Sequence, residues 1–161
     1  MKKIFTLFSL LLLCLMAIAQ NPCPQVIPAL QQWKGAKGTL TLPVQGSIVI
    51  NASDESALNQ TASILADDLK EMLGWEYTIT TGKAKKNDIY LSLSQPDEQL
   101  GKEGYVLAIN HKVSIEAPTP QGVFWGTRTL LQMLYKQKAT LAKGTTRDWP
   151  EFPSRGFMLD V

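Results

Sequence analysis

Apolar and polar residues alternate over Thr39–Leu42 and run together over Ser47–Ile50, after Gly46, so two strands are expected there. The period then changes. Leu58, Ala62, Leu65, Leu69, Met72 and Leu73 recur at spacings of three and four, which puts one apolar stripe on a helix. Ser53 is the expected N-cap, with Asp54 and Glu55 in the first turn, and Gly74 stands where a left-handed residue closes a helix. Strand patterns return at Trp75–Thr80, Asp88–Leu93, Gly104–Ile109 and Lys112–Glu116. The last two are joined by Asn110-His111, read as a tight hairpin in which Asn110 takes a positive φ. A second helix is expected from Thr119 as N-cap and Pro120 at N1, with Val123, Thr127, Leu130, Leu131 and Leu134 as its inner stripe. Strands with two such helices predict an α+β two-layer sandwich, a mostly antiparallel sheet with both helices on one face.

The two ends read differently. Lys2 and Lys3, the apolar run Ile4–Met16 and Ala17-Ile18-Ala19 make residues 1–19 a secretory signal peptide, cut before Gln20. The run is short for a membrane span. Residues 20–38, with Pro22, Pro24 and Pro28, read as an extended leader, and residues 39–147 as the folded domain. Residues 148–161 read as a linker with Pro150 and Pro153, then a buried strand over Gly156–Val161; a chain that stops on such a strand is expected to be cut.

Composition narrows the function classes. The chain has 161 residues, 45% apolar and 19% charged, which fits a globular domain and not a disordered tail. Its 16 Lys and Arg face 14 Asp and Glu, and loss of Lys2 and Lys3 leaves a neutral chain, without the positive field of a nucleic-acid binder. Of two cysteines, Cys14 lies in the leader peptide, so Cys23 has no intrachain disulfide partner in the mature chain.

Few residues invite chemistry. The single histidine, His111, falls on a turn with no ligand at metal spacing. Asp67-Asp68 are adjacent on a helix and face apart, and Asp97-Glu98 read as solvated loop, so neither is a general acid–base pair. Lys83, Lys85 and Lys86 read as a soluble turn. Gly122 and Gly126 read as a close approach of the second helix to the sheet. Asn51-Ala52-Ser53 and Asn59-Gln60-Thr61 match the glycosylation acceptor pattern. No catalytic, substrate-binding or metal residue is assigned, and no cofactor is implied.

Three blocks nevertheless form a pattern. Gly122-Val123-Phe124-Trp125-Gly126-Thr127-Arg128-Thr129-Leu130-Leu131-Gln132, preceded by Tyr105-x-Leu107-x-Ile109 and Val113-Ser114-Ile115, resembles the end of the small α/β domain of glycoside hydrolase family 20, the β-N-acetylhexosaminidases. Asp148-x-Pro150-x-Phe152-x-x-Arg155-Gly156-x-Met158-Leu159-Asp160-Val161 resembles that family's lead into its catalytic TIM barrel. The resemblance covers about Ile27 to Val161. It implies a barrel whose Asp–Glu pair cleaves terminal non-reducing β-linked GlcNAc or GalNAc. The Glu is the acid, and the Asp orients the substrate's acetamido group as internal nucleophile, with retention. None of those positions falls in these residues; Arg155 is read as a structural ion-pair residue and Asp160 as support at best.

The resulting expectation is the N-terminal portion of a secreted or periplasmic bacterial hexosaminidase, inactive by itself, with an amino-sugar glycan as partner of the missing barrel. No nucleic-acid partner and no membrane span are expected. The alternative is a non-catalytic carbohydrate-binding or scaffold domain, with Trp33 or Trp75 stacking on sugars.

Overall fold

A computed structural model describes residues 20–152 and residue 156. The expected signal peptide and the strand over Gly156–Val161, with Arg155 and Asp160, lie outside the described residues apart from Gly156. The elements are β1 (Gln32–Thr41), β2 (Gln45–Ile50), α1 (Glu55–Leu73), β3 (Glu76–Thr81), β4 (Ile89–Leu93), β5 (Tyr105–Ile109), β6 (Val113–Ala117), α2 (Pro120–Gln137) and β7 (Thr140–Asp148). The α+β class holds. The sheet is mixed, not mostly antiparallel: its seven strands run β1-β7-β5-β6-β4-β2-β3. The pairs β2–β3, β2–β4 and β4–β6 are parallel, while β1–β7, β5–β7 and β5–β6 are antiparallel. The reason is the helical crossovers. A chain that leaves one strand, runs back along a helix and re-enters the sheet does so in its original direction. α1 makes that return between β2 and β3, and α2 makes it between β6 and β7 across β5.

The core lies between the helices and one sheet face. Leu58, Leu65 and Leu69 of α1 and Val123, Leu130 and Leu134 of α2 are buried against Ile48, Ile50, Leu91, Leu107, Ile109 and Ile115. Met72, expected in the α1 stripe, is exposed, because it stands in the last turn beside the closing Gly74. Gly74 has φ 70°, and the N–H groups of Gly74 and Trp75 donate to the Lys70 and Leu69 carbonyls. The N-cap of α1 is Asp54, not Ser53, since a 3-10 turn over Ala52–Asp54 intervenes and the Ser53 hydroxyl donates to Asp54. The cap of α2 is as expected: Thr119 Oγ1 accepts from the Gly122 N–H at 3.1 Å, with Pro120 following. The β5–β6 hairpin forms with a three-residue turn, Asn110–Lys112, and Asn110 does not take a positive φ.

The leader is the larger correction. β1 begins at Gln32, inside the stretch read as extended leader. It pairs with β7, where no strand was foreseen. Even the irregular part is fastened. Val26 and Pro24 are buried. Asn21 fills a bulge in β1 between Gly35 and Thr39: its N–H donates to Ala36 O, and its Nδ2 donates to Gly38 O and Lys143 O.

Candidate functional site

The sequence-singled residues do not converge. His111 is exposed on its turn, and Lys83, Lys85 and Lys86 are exposed. Cys23 is exposed, with Sγ 3.7 Å from the Pro24 carbonyl. Asp68 reaches across from α1 to α2 and pairs with Arg128 at 2.5 Å, while Arg128 also lies over the Phe124 ring. Asp97 is not merely solvated. Both its oxygens accept from Arg147 Nη2 at 2.7 Å, and its Oδ1 also accepts from the Gln99 and Leu100 N–H groups. The Arg147 guanidinium, followed by the Leu100 N–H, holds the Asp97 carboxyl below its usual range. Gly122 and Gly126 press α2 onto the sheet as expected: a Cβ at Gly126 would lie 2.5 Å from Ile115 Cγ2. Among the described residues no three His, Cys, Asp or Glu side chains gather as a metal site, and no helix is long and apolar enough to cross a membrane.

The tryptophans offered for sugar stacking are also placed otherwise. Trp75 is buried and stacks on Tyr77 with centroids 6.2 Å apart. Trp33 is half-buried and its indole N–H donates to Asn21 O at 3.1 Å. Trp75 is thus too buried to stack on a pyranose ring, and the Trp33 ring packs against Gly144.

A site that sequence reading missed lies elsewhere. A groove of about 750 Å³ runs between residues 27–31, the outer face of α2 and residues 148–152. Along α2 the groove-facing residues are Trp125, Arg128, Thr129 and Gln132. Residues at i, i+3, i+4 and i+7 share one side of a helix, so α2 carries a second stripe beside its core stripe. The strap over residues 27–31 is clamped to that stripe. Ile27 N–H donates to Gln132 Oε1 and Gln132 Nε2 donates back to Ile27 O, both at 2.9 Å. Gln31 N–H donates to Asp148 Oδ1 at 2.9 Å. The Tyr105 hydroxyl donates to Asp148 Oδ2 at 2.8 Å, so at 2.6 Å from Thr129 Oγ1 it accepts, because a hydroxyl has one proton to give. Burial, with the neighbouring Asp148 charge, drives the Tyr105 phenol far above its usual range, so it stays protonated.

The groove's polar groups are therefore largely spent within the chain. Arg128 is bonded to Asp68, Gln132 to Ile27, Asp148 to Gln31 and Tyr105, and Glu103 accepts from Gln121. What remains offered is the exposed Glu151 carboxylate and, more extensively, apolar surface: Ile27 is 78% exposed, Phe152 64% and Trp125 38%. Tyr135, three residues beyond Gln132 on α2, is 70% exposed. Exposed apolar residues in such a cluster mark an interaction surface or a ligand-binding groove.

Comparison with known proteins gives concordant results. A family model described as glycosyl hydrolase family 20, domain 2, matches residues 23–149. The chain is similar to a lacto-N-biosidase of Bifidobacterium bifidum, 33% identical over 138 residues, covering 84% of this chain and 12% of that protein. It is similar also to a β-hexosaminidase of Porphyromonas gingivalis, 29% identical over 147 residues, covering 84% and 18%. Among solved structures, the β-N-acetylhexosaminidase of Streptomyces coelicolor matches with a TM-score of 0.68 and 26% identity, over 84% of this chain and 28% of that one. The chain thus spans less than a third of each of these relatives.

Proposed function

The chain belongs to glycosyl hydrolase family 20, its matched part being domain 2 of that family, and from that premise we propose that it is the non-catalytic supporting domain of a secreted β-N-acetylhexosaminidase. The reaction assigned is hydrolysis of terminal non-reducing β-linked GlcNAc or GalNAc, with retention and with the substrate's acetamido group as nucleophile. The groups that carry it belong to a barrel that these 161 residues do not include. The export signal read in residues 1–19 puts the protein in the periplasm or beyond.

The observation that carries the supporting role is the groove. A carbohydrate site needs polar groups left over for sugar hydroxyls beside its aromatic faces. Here the hydrogen-bonding groups named above hold the domain's own strap and helix, while Trp125, Ile27 and Phe152 present apolar surface. That composition suits a protein surface, and the occupant is the catalytic unit.

Two assays test the reading. Purified residues 20–161 should release no p-nitrophenol from a β-N-acetylglucosaminide above a blank; clear turnover would overturn it. Titration with GlcNAc oligomers should leave tryptophan fluorescence unchanged, whereas a saturable change would favour the carbohydrate-binding alternative.

A further inference from the structure

The amino-terminal segment is built into the fold from Asn21 onward. Asn21 makes the three donor bonds described above and accepts from Trp33, and Gly35 lies so close that a Cβ there would run into the Asn21 carbonyl. The residue before this plug, Gln20, is exposed, and it is the first residue after the Ala17-Ile18-Ala19 cleavage signal. We propose that Gln20 is a modification site: once the leader is cut, it closes on itself to a pyroglutamyl cap over the Asn21 plug. The inference rests on the export reading above.

The step needs no co-reactant. The Gln20 α-amine attacks its own Cδ carbonyl. The N–Cδ bond forms, the Cδ–Nε2 bond breaks, and the amide nitrogen leaves as ammonia with the proton the amine gives up. No atom changes oxidation state. The attack closes a five-membered ring within one residue, so no encounter between molecules is required. The amine, with an ordinary pKa of about 7.7–8.0, is partly unprotonated near neutrality. The cap suits the plug. With Gln20 in place, the Asn21 nitrogen is a neutral amide donating to Ala36 O. An exopeptidase that removed Gln20 would make that half-buried nitrogen an ammonium, whose charge must be desolvated. A lactam has no free amine for such an enzyme to grip.

The test is the intact mass of the protein expressed from Met1 in an exporting bacterial host and incubated at neutral pH. The expected product begins at Gln20, is lighter by one ammonia and resists α-amine labelling, while Gln20→Ala is labelled and keeps its full mass. A chain that begins at Gln20 and retains its ammonia overturns the cap and leaves the export reading standing. A chain that keeps Met1 overturns both, and one cut at another bond overturns the cap alone.

Discussion

Replacing Gly126 by alanine tests whether α2 is held at its closest possible approach to the sheet. An alanine Cβ would sit 2.5 Å from Ile115 Cγ2 and 3.1 Å from Tyr105 Cδ2, where carbon atoms prefer about 3.5–4.0 Å. About 1 Å of room must be found. Ile115 is fully buried on a strand flanked on both sides, and its β-branched side chain has little rotamer freedom. Tyr105 is tied to Thr129 and Asp148. The helix itself must therefore move. Overpacking of this kind costs about 1–3 kcal/mol, against about 1 kcal/mol gained from alanine's better helix propensity. The net expectation is a loss of up to about 2 kcal/mol in urea unfolding at unchanged m, or up to about 8 °C in Tm at about 2–4 °C per kcal/mol for a chain of this size. Combination with Ile115→Ala, which removes Cγ2, should cost less than the sum of the two single changes; Ile115→Val, which keeps Cγ2, should give no such relief. A Gly126→Ala protein more stable than the original by the full helix-propensity gain of about 1 kcal/mol, or a strictly additive pair with Ile115→Ala, would refute the close-approach argument.

Two further outcomes follow from the polar contacts. Tyr105→Phe deprives Asp148 of a donor and leaves the buried Thr129 hydroxyl without its acceptor, so urea unfolding should show a loss of about 1–3 kcal/mol. At Asp54, burial acts to raise the carboxyl pKa, but the Leu93 N–H, Asn51 and Ser53 together outweigh it and the net direction is down; Asp97 is lowered by Arg147. A carboxyl lowered on folding stabilises fully above its unfolded value of about 3.9 and loses that contribution as pH falls through the folded value. The urea midpoint should therefore drop from pH 5 to pH 3 (about one unit either side of the unfolded pKa), and more steeply than in the Asp54→Asn, Asp97→Asn double variant; equal slopes would remove these two carboxylates from the acid response.

The sequence disclosed the parts of the fold whose information is local. Both helices carry their stripe and one capping residue within a short stretch of chain, from Leu58 to Gly74 and from Thr119 to Leu134. β7 reads Thr-Leu-Ala-Lys-Gly-Thr-Thr-Arg-Asp and has almost no alternation to detect. It is a strand because β1 and β5 supply hydrogen-bond partners on both sides, and Thr146, fully buried, meets its own need by donating to Gln32 O. β1 is hidden in the same way by Lys34, Gly35, Lys37 and a bulge that only Asn21 completes. Strand direction was also invisible, since alternation is identical in parallel and antiparallel ladders and the crossovers decide between them. Of the groove, Trp125 and Arg128 were legible as part of a family pattern. Gln132 stood in the same pattern, but Ile27 and Gln31 were not legible, and the clamp they make with Gln132 and Asp148 exists only once residues about a hundred positions apart in the chain are brought together.

The register of β1 on β7 explains why the groove lies where it does. Gln32 pairs with Arg147, so the first residue of β1 stands beside the penultimate residue of β7. Because that pair is antiparallel, the chain before β1 and the chain after β7 leave the sheet at the same end of neighbouring strands. Asp148 then faces the helix side, opposite Tyr105, and captures the incoming strap through Gln31. The outer stripe of α2 closes the third side through Gln132. Residues 148–152 leave β7 beside the strap over residues 27–31 and line the groove together with Trp125 and Ile27. A tethered partner needs far less intrinsic affinity than a free one, because its effective concentration at the groove is set by the few residues that link it. On the supporting-domain proposal, a partner joined there needs no more than such a short groove, whereas a groove whose polar groups are largely spent inward is a weak site for a diffusing sugar.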